Sequence, residues 1–204
     1  PPAPPTEGRK LGIGQADRAC HVGAPARRLS DPAARILFVR RFVTLDLETV
    51  ADEALVSAVD GEPERPYPEQ LRRVLADRRA RTGGRSDFLP LPYHRPVAAC
   101  LLEAVEEGGL VRVADVATWT DRRGDEADFL ARTWDRLAGA ALVTFHGKGF
   151  DVPVLELRSL KHAVPMPGWF AARRGGAIAE HLDMKEILSS QGAAGAAPLD
   201  LYAK

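Results

Sequence analysis

The sequence predicts an α/β domain in which helices pack against a mixed sheet, and three stretches carry that expectation. RILFVRRFVTLDLET, from Arg35, is dense in β-branched and aromatic residues and reads as a strand, or as a short hairpin ending in one. PVAACLLEAV (96–105) and LVRVADVATW (110–119) are two more strand candidates, and the EEGG between them is a turn-like connection that makes an antiparallel hairpin. ALVTFHG (141–147) is a short apolar strand running into glycine, followed at once by the helical pattern FDVPVLELRSLKH (150–162). With the helical pattern DEADFLARTWDRLAGA (125–140) between the hairpin and ALVTFHG, the order is strand, hairpin, helix, strand and helix.

Taken in sequence, residues 1–34 hold six of the sixteen prolines with scattered arginines and no sustained periodicity, which predicts a flexible arm ahead of a domain spanning 35–204. Its opening, PPAPPTEGRK, has no signal architecture and reads as a processed or clipped tail. After the first strand, PEQLRRVLADRRARTGGR (68–85) places Leu71, Val74 and Leu75 at helical spacing and closes on two glycines that suit a C-cap. Its six arginines face only Glu69 and Asp77, so they could follow a phosphate backbone or simply form a solvated face. DEADFLARTWDRLAGA (125–140) has acids in its first turn and Leu130, Trp134 and Leu137 at i, i+4, i+7, an amphipathic helix. In the helix from Phe150, Pro153 sits in the first turn and the basic residues lie at the C-terminal end, where each is favoured. A Pro- and Gly-rich loop follows, in which Trp169 and Phe170 could offer a stacking surface, and then HLDMKEILSS, where Asp183 precedes a helical run.

Composition narrows the function classes. With 204 residues, 45% hydrophobic and 27% charged, one soluble domain with a sizeable core is expected. The 28 basic and 28 acidic residues cancel, so no global field draws in a polyanion and any nucleic-acid site must be local. Two cysteines, Cys20 and Cys100, supply neither a disulfide framework nor a zinc ligand set, which fits a reducing compartment such as the cytoplasm. No apolar run approaches the roughly 20 residues of a membrane span.

The chemistry begins in FVTLDLETV. A strand alternates faces, so Val43, Leu45 and Leu47 point one way while Thr44, Asp46 and Glu48 point the other. The two acids thus share a face with α-carbons roughly 6 to 7 Å apart, and like charges that close call for a proton or a hard cation between them. TFHGKGFD then brings Asp151 to a strand-to-helix turn, where it is either a helix N-cap or a third acid. Three carboxylates converging from two strand ends would make an oxygen-ligand cluster for two hard divalent metal ions.

TLDLET, LVTFHGKGFDVPVLELRSLKH and HLDMKEIL, in that order, resemble the predicted 3'-5' exonucleases related to the proofreading domain of family-B DNA polymerases, of the DEDD group on a ribonuclease H-like fold. The likeness runs from about Val43 to the last residue and includes FLPLPYHRPVAACLLEA. By that resemblance Asp46, Glu48 and Asp151 are the first three catalytic and metal-binding acids, and Thr49, His146, Gly147 and Phe150 lie against the substrate. The ions that the resemblance implies are Mg²⁺ or Mn²⁺, and Glu48 would also meet the terminal 3'-hydroxyl. The substrate implied is single-stranded nucleic acid, DNA rather than RNA. The fourth acid of the family, in a Tyr-x-x-x-Asp helix, has no match: Asp200 and Tyr202 occur as Asp-x-Tyr, and the sequence stops at Lys204 within what resembles the segment before that helix. Asp183 is a second-tier ligand candidate beside its commoner role as an N-cap. His146 stands where the family usually has asparagine. The competing expectation is a catalytically impaired nucleic-acid-binding or interaction domain that keeps the exonuclease fold.

Overall fold

The computed structural model describes residues 40–121, 124–166, 168–169 and 180–204. The chain divides between Ile36 and Leu37 into two units, and all described residues belong to the second. Residues 1–34 and Phe170 therefore lie outside the described residues.

Strand β1 (Arg40–Ala51) keeps the alternation that its sequence dictates: Val43, Leu45 and Leu47 are buried, while Thr44, Asp46 and Glu48 are exposed. It pairs antiparallel with β2 (His94–Glu107), which pairs antiparallel with β3 (Leu110–Thr120). The hairpin between β2 and β3 closes at the Glu107–Leu110 pair, leaving Gly108 and Gly109 as a two-residue turn. Their φ values of 61° and 83° are the pair of left-handed conformations that such a turn demands, and glycine adopts them without a Cβ clash. On its other side β1 pairs parallel with β4 (Ala141–Thr144), and β4 pairs parallel with β5 (His181–Asp183). The sheet is thus mixed and five-stranded, in the order β3-β2-β1-β4-β5, as an α/β, ribonuclease H-like domain requires.

Helices α3 (Glu126–Leu137) and α4 (Asp151–Lys161) cover one face of it. Phe129, Leu130, Trp134 and Leu137 of α3 and Val152 and Leu155 of α4 join Val43, Leu45, Leu47, Ala99, Leu101 and Leu142 in the main core. The opposite face of β1 through β3 carries exposed Thr44, Asp46, Glu48, Cys100, Val113 and Val116. Helix α1 (Glu53–Asp60) and helix α2 (Tyr67–Arg81) form a second small core from Val56, Val74 and Leu89. Gly83 and Gly84, at φ 64° and 80°, end α2 four residues before the Arg85 that the sequence pattern suggests. Two short helices, α5 (Met184–Leu188) and α6 (Leu199–Tyr202), follow β5.

A buried ion cluster ties these parts together. Arg158 of α4, 3% exposed, pairs with Asp52 and with both carboxylate oxygens of Glu126, and Lys161 Nζ reaches Asp52 at 2.6 Å. Asp52 also caps α1 by accepting from the Leu55 N–H at 3.1 Å. Burial opposes its charge, but the Lys161 and Arg158 donors outweigh that and hold its carboxyl well below the usual range. One acid thereby joins β1, α1 and α4.

Candidate active site

Asp46 and Glu48 are placed by the pleat of β1, opposite Cys100 and Ala98 of β2. Small cross-strand partners leave both carboxylates open to solvent, and no hydrogen bond or ion pair among the described residues ties either one. Just past Glu48 a bulge in the pairing with β2 shifts the register, so Thr49 pairs with Pro96 and turns toward His94.

Asp151 comes from the other side of β1. The β1–β4 pairing stops at Thr44–Val143, so the Leu47 N–H lies beyond the last strand partner on that side. The Asp151 carboxylate accepts that N–H at 3.2 Å, in the place a strand would otherwise fill. It is only 7% exposed. Burial, with the Asp46 charge adding to it, pushes the carboxyl up from 3.8 to about 6. The Leu47 bond thus seats Asp151 against the residue next to Asp46, although the two acids are about a hundred residues apart in sequence.

The turn between β4 and α4 holds Asp151 in place, and its glycines have local reasons. A Cβ on Gly147 would lie 2.5 Å from the Thr144 side chain, and one on Gly149 would lie 2.7 Å from the His146 ring. His146 adopts φ 68°, a left-handed conformation in which asparagine, aspartate and histidine are enriched, so the residue that departs from the family's asparagine still fits the backbone. Asp183 anchors this turn. One of its oxygens accepts from the N–H of His146 at 2.8 Å and of Lys185 at 3.1 Å, and the other accepts from Lys148 at 3.0 Å. Burial alone would raise its pKa, but these three donors hold the carboxyl below its ordinary value. Asp183 is thus the N-cap of α5 and the clamp of the β4–α4 turn, and its oxygens are already committed.

The fit of a divalent cation can be judged from these donors. Among the described residues no group of three or more His, Cys, Asp or Glu side chains is set as a ready metal cage. The expected cluster of Asp46, Glu48 and Asp151 is not such a group. The open Asp46 and the buried, charge-destabilised Asp151 still suit a hard ion, since Mg²⁺ commonly takes one or two carboxylates and completes its shell with water and phosphate.

Residues 86–204 match the family described as predicted 3'-5' exonucleases related to the exonuclease domain of PolB. The chain belongs to this family. No curated protein and no solved structure matches it. The span matched to this exonuclease family contains Asp151, His146, Gly147, Phe150 and Asp183, whereas Asp46, Glu48 and Thr49 lie ahead of it. What brings those three into the exonuclease-related domain is the pairing of β1 with β2 and β4, both inside the span.

Other candidates settle differently. Of the α2 arginines, Arg73 pairs with Asp60 and Glu62, Arg81 with Asp77, and Arg72 and Arg78 with backbone carbonyls, so much of that face is internally satisfied. Trp169 packs on Trp134 with centroids 5.6 Å apart and donates to Glu156, which makes it an edge of the core rather than a stacking surface. No periodicity or ligand spacing in the sequence marks Phe88 or His94 as a site residue. Phe88 stacks on His94, and both rings touch Phe150, next in sequence to Asp151.

Proposed function

We propose that this chain is a metal-dependent 3'-5' exonuclease acting on single-stranded nucleic acid, with DNA as its substrate. The observation that carries the reading is Asp151: a nearly buried carboxyl, raised to about 6 by burial and by the Asp46 charge, at the strand-to-helix turn matched by the family. A bound Mg²⁺ or Mn²⁺ pair would supply an activated water and charge neutralisation at the scissile phosphate.

In this reading Asp46 and Asp151 hold the cations, and Glu48, two residues along the same strand face, contributes a further oxygen and accepts from the terminal 3'-hydroxyl. Asp151 stays fixed through the Leu47 N–H, so the site is oriented before substrate arrives. The β4–α4 turn, clamped by Asp183, presents His146, Gly147 and Phe150 toward the strand. Thr49 and Phe150 flank the acids on their two segments and contact the terminal nucleotide.

The test is a 5'-labelled single strand incubated with Mn²⁺, beside a copy whose 3' end is blocked. Stepwise shortening of the free strand only, lost in Asp46→Asn and Asp151→Asn, is the expected result. A chain that binds the strand yet leaves its length unchanged with every divalent ion is instead the binding domain on an exonuclease fold.

A further inference from the structure

Phe88 is a large aromatic residue left 56% exposed, although its neighbour Leu89 is buried in the α1–α2 core. It is nevertheless held still. Its ring stacks on His94 at 5.0 Å and 29°, and tilts against Phe150 at 5.6 Å. His94 in turn meets Phe150 edge-on at 4.9 Å and 83°. Both nitrogens of the His94 ring are engaged: Nε2 donates to the Leu89 carbonyl at 3.0 Å, and Nδ1 shares a hydrogen bond with the Thr49 hydroxyl at 3.0 Å. The Phe88 backbone is fixed as well, its N–H by Ser86 Oγ at 3.0 Å and its carbonyl by the Arg78 guanidinium at 3.1 Å.

This shelf adjoins the acids through the chain itself. Thr49 follows Glu48, and Phe150 precedes Asp151. A largely exposed aromatic ring, backed by two others, matches a nucleobase, which offers a flat π-system. In a chain of zero net charge, such a local site is what binding requires.

We propose that Phe88, backed by His94 and Phe150, is the stacking shelf for the base of the nucleotide at the reacting 3' end, a positioning role that rests on the exonuclease reading. The shelf has a π-face and no base-edge hydrogen-bonding group of its own, so it accepts any of the four bases. It ties the last nucleotide to the acid site without reading sequence.

The experiment uses the full chain in EDTA, where no cleavage occurs, and a single strand carrying 2-aminopurine as its 3'-terminal base. Wild type and Phe88→Tyr should quench the probe on binding. Phe88→Leu, which keeps apolar cover over His94, and Phe88→Ala should lose the quench and bind about 5- to 100-fold more weakly, as removal of one base-stacking partner does. With an abasic 3' end the wild type should fall to the affinity of Phe88→Ala, and that variant should lose nothing further. Equal quench in wild type and Phe88→Leu, an absence of quench in wild type, or equal losses of affinity on the abasic strand for both chains would each overturn the shelf. Retained Phe88-dependent quench with no strand shortening in Mn²⁺ would support the shelf while removing the exonuclease reading.

Discussion

Replacing Asp151 by asparagine removes one charge and almost no volume, so it isolates the electrostatic cost of the candidate site. The folded carboxyl titrates near 6 against an ordinary 3.8, because burial and the Asp46 charge disfavour its ionised form. The folded state therefore binds this proton more tightly than the unfolded chain does. Stability from the group is fully present below pH 3.8 and is lost as pH rises through about 6. Two pH units at 1.36 kcal/mol each set the loss at about 3 kcal/mol. The side-chain amide oxygen of the variant can still accept from the Leu47 N–H, but a neutral acceptor is worth about 1 kcal/mol less than a charged one, so the net gain of Asp151→Asn at pH 8 in EDTA should be about 1 to 3 kcal/mol. For a domain of this size that is a rise in Tm of about 3 to 10 °C. The assay is thermal unfolding of both chains from pH 4 to 8, with and without Mn²⁺. The difference should vanish near pH 4, and Mn²⁺ should stabilise the wild type alone, since a cation replaces the missing proton. A variant less stable than wild type at pH 8, or a difference that does not change with pH, would refute the reasoning.

Other substitutions probe the framework. Arg158→Met strips the guanidinium from buried Asp52 and Glu126, leaving Asp52 to Lys161 and Glu126 beside His162, and should cost about 3 kcal/mol by urea unfolding, whereas a cost under about 1 kcal/mol would mean that water and Lys161 take over the role. Gly147→Ala forces a Cβ to within 2.5 Å of Thr144 and should destabilise by about 1 to 3 kcal/mol; unchanged stability would show that the β4–α4 turn yields freely. Cys100 is exposed and sits opposite Asp46, so its alkylation by iodoacetamide in a Cys20→Ser chain should weaken Mn²⁺ binding measured by calorimetry, with Cys100→Ser protected. Unaltered binding after full alkylation would place the cation away from Asp46.

The elements legible in the sequence were those whose burial pattern is long and regular. β1 and α3 each bury a continuous stripe, and EEGG announces a turn because only glycine adopts two successive left-handed conformations cheaply. Helix α1 left little trace, since only Val56 of its eight residues is buried, and its start depends on Asp52, whose partners Arg158 and Lys161 lie in another element. β5 has three residues and owes its existence to parallel pairing with β4, a contact that no local periodicity encodes. Asp46 and Glu48 were visible because strand alternation is local. The His94–Phe88–Phe150 contact was invisible because it joins three segments.

The acids themselves sort by how much of their oxygen is already used. A metal ligand needs a free lone pair, and each N–H accepted by a carboxylate removes one and lowers its tendency to seek a cation. Asp183 accepts three N–H groups, which keep it ionised and hold its pKa below the ordinary value while occupying the lone pairs an ion would need. Asp151 accepts the Leu47 N–H and its own backbone N–H, enough to orient it while burial keeps its charge costly, so a cation would relieve what the proton otherwise relieves. Asp46 and Glu48 lie exposed on an open strand face, with no hydrogen bond or ion pair among the described residues. One anchored acid beside two exposed ones suits an ion that arrives with its own water and a phosphate, since such an ion commonly takes only one or two carboxylates from the protein.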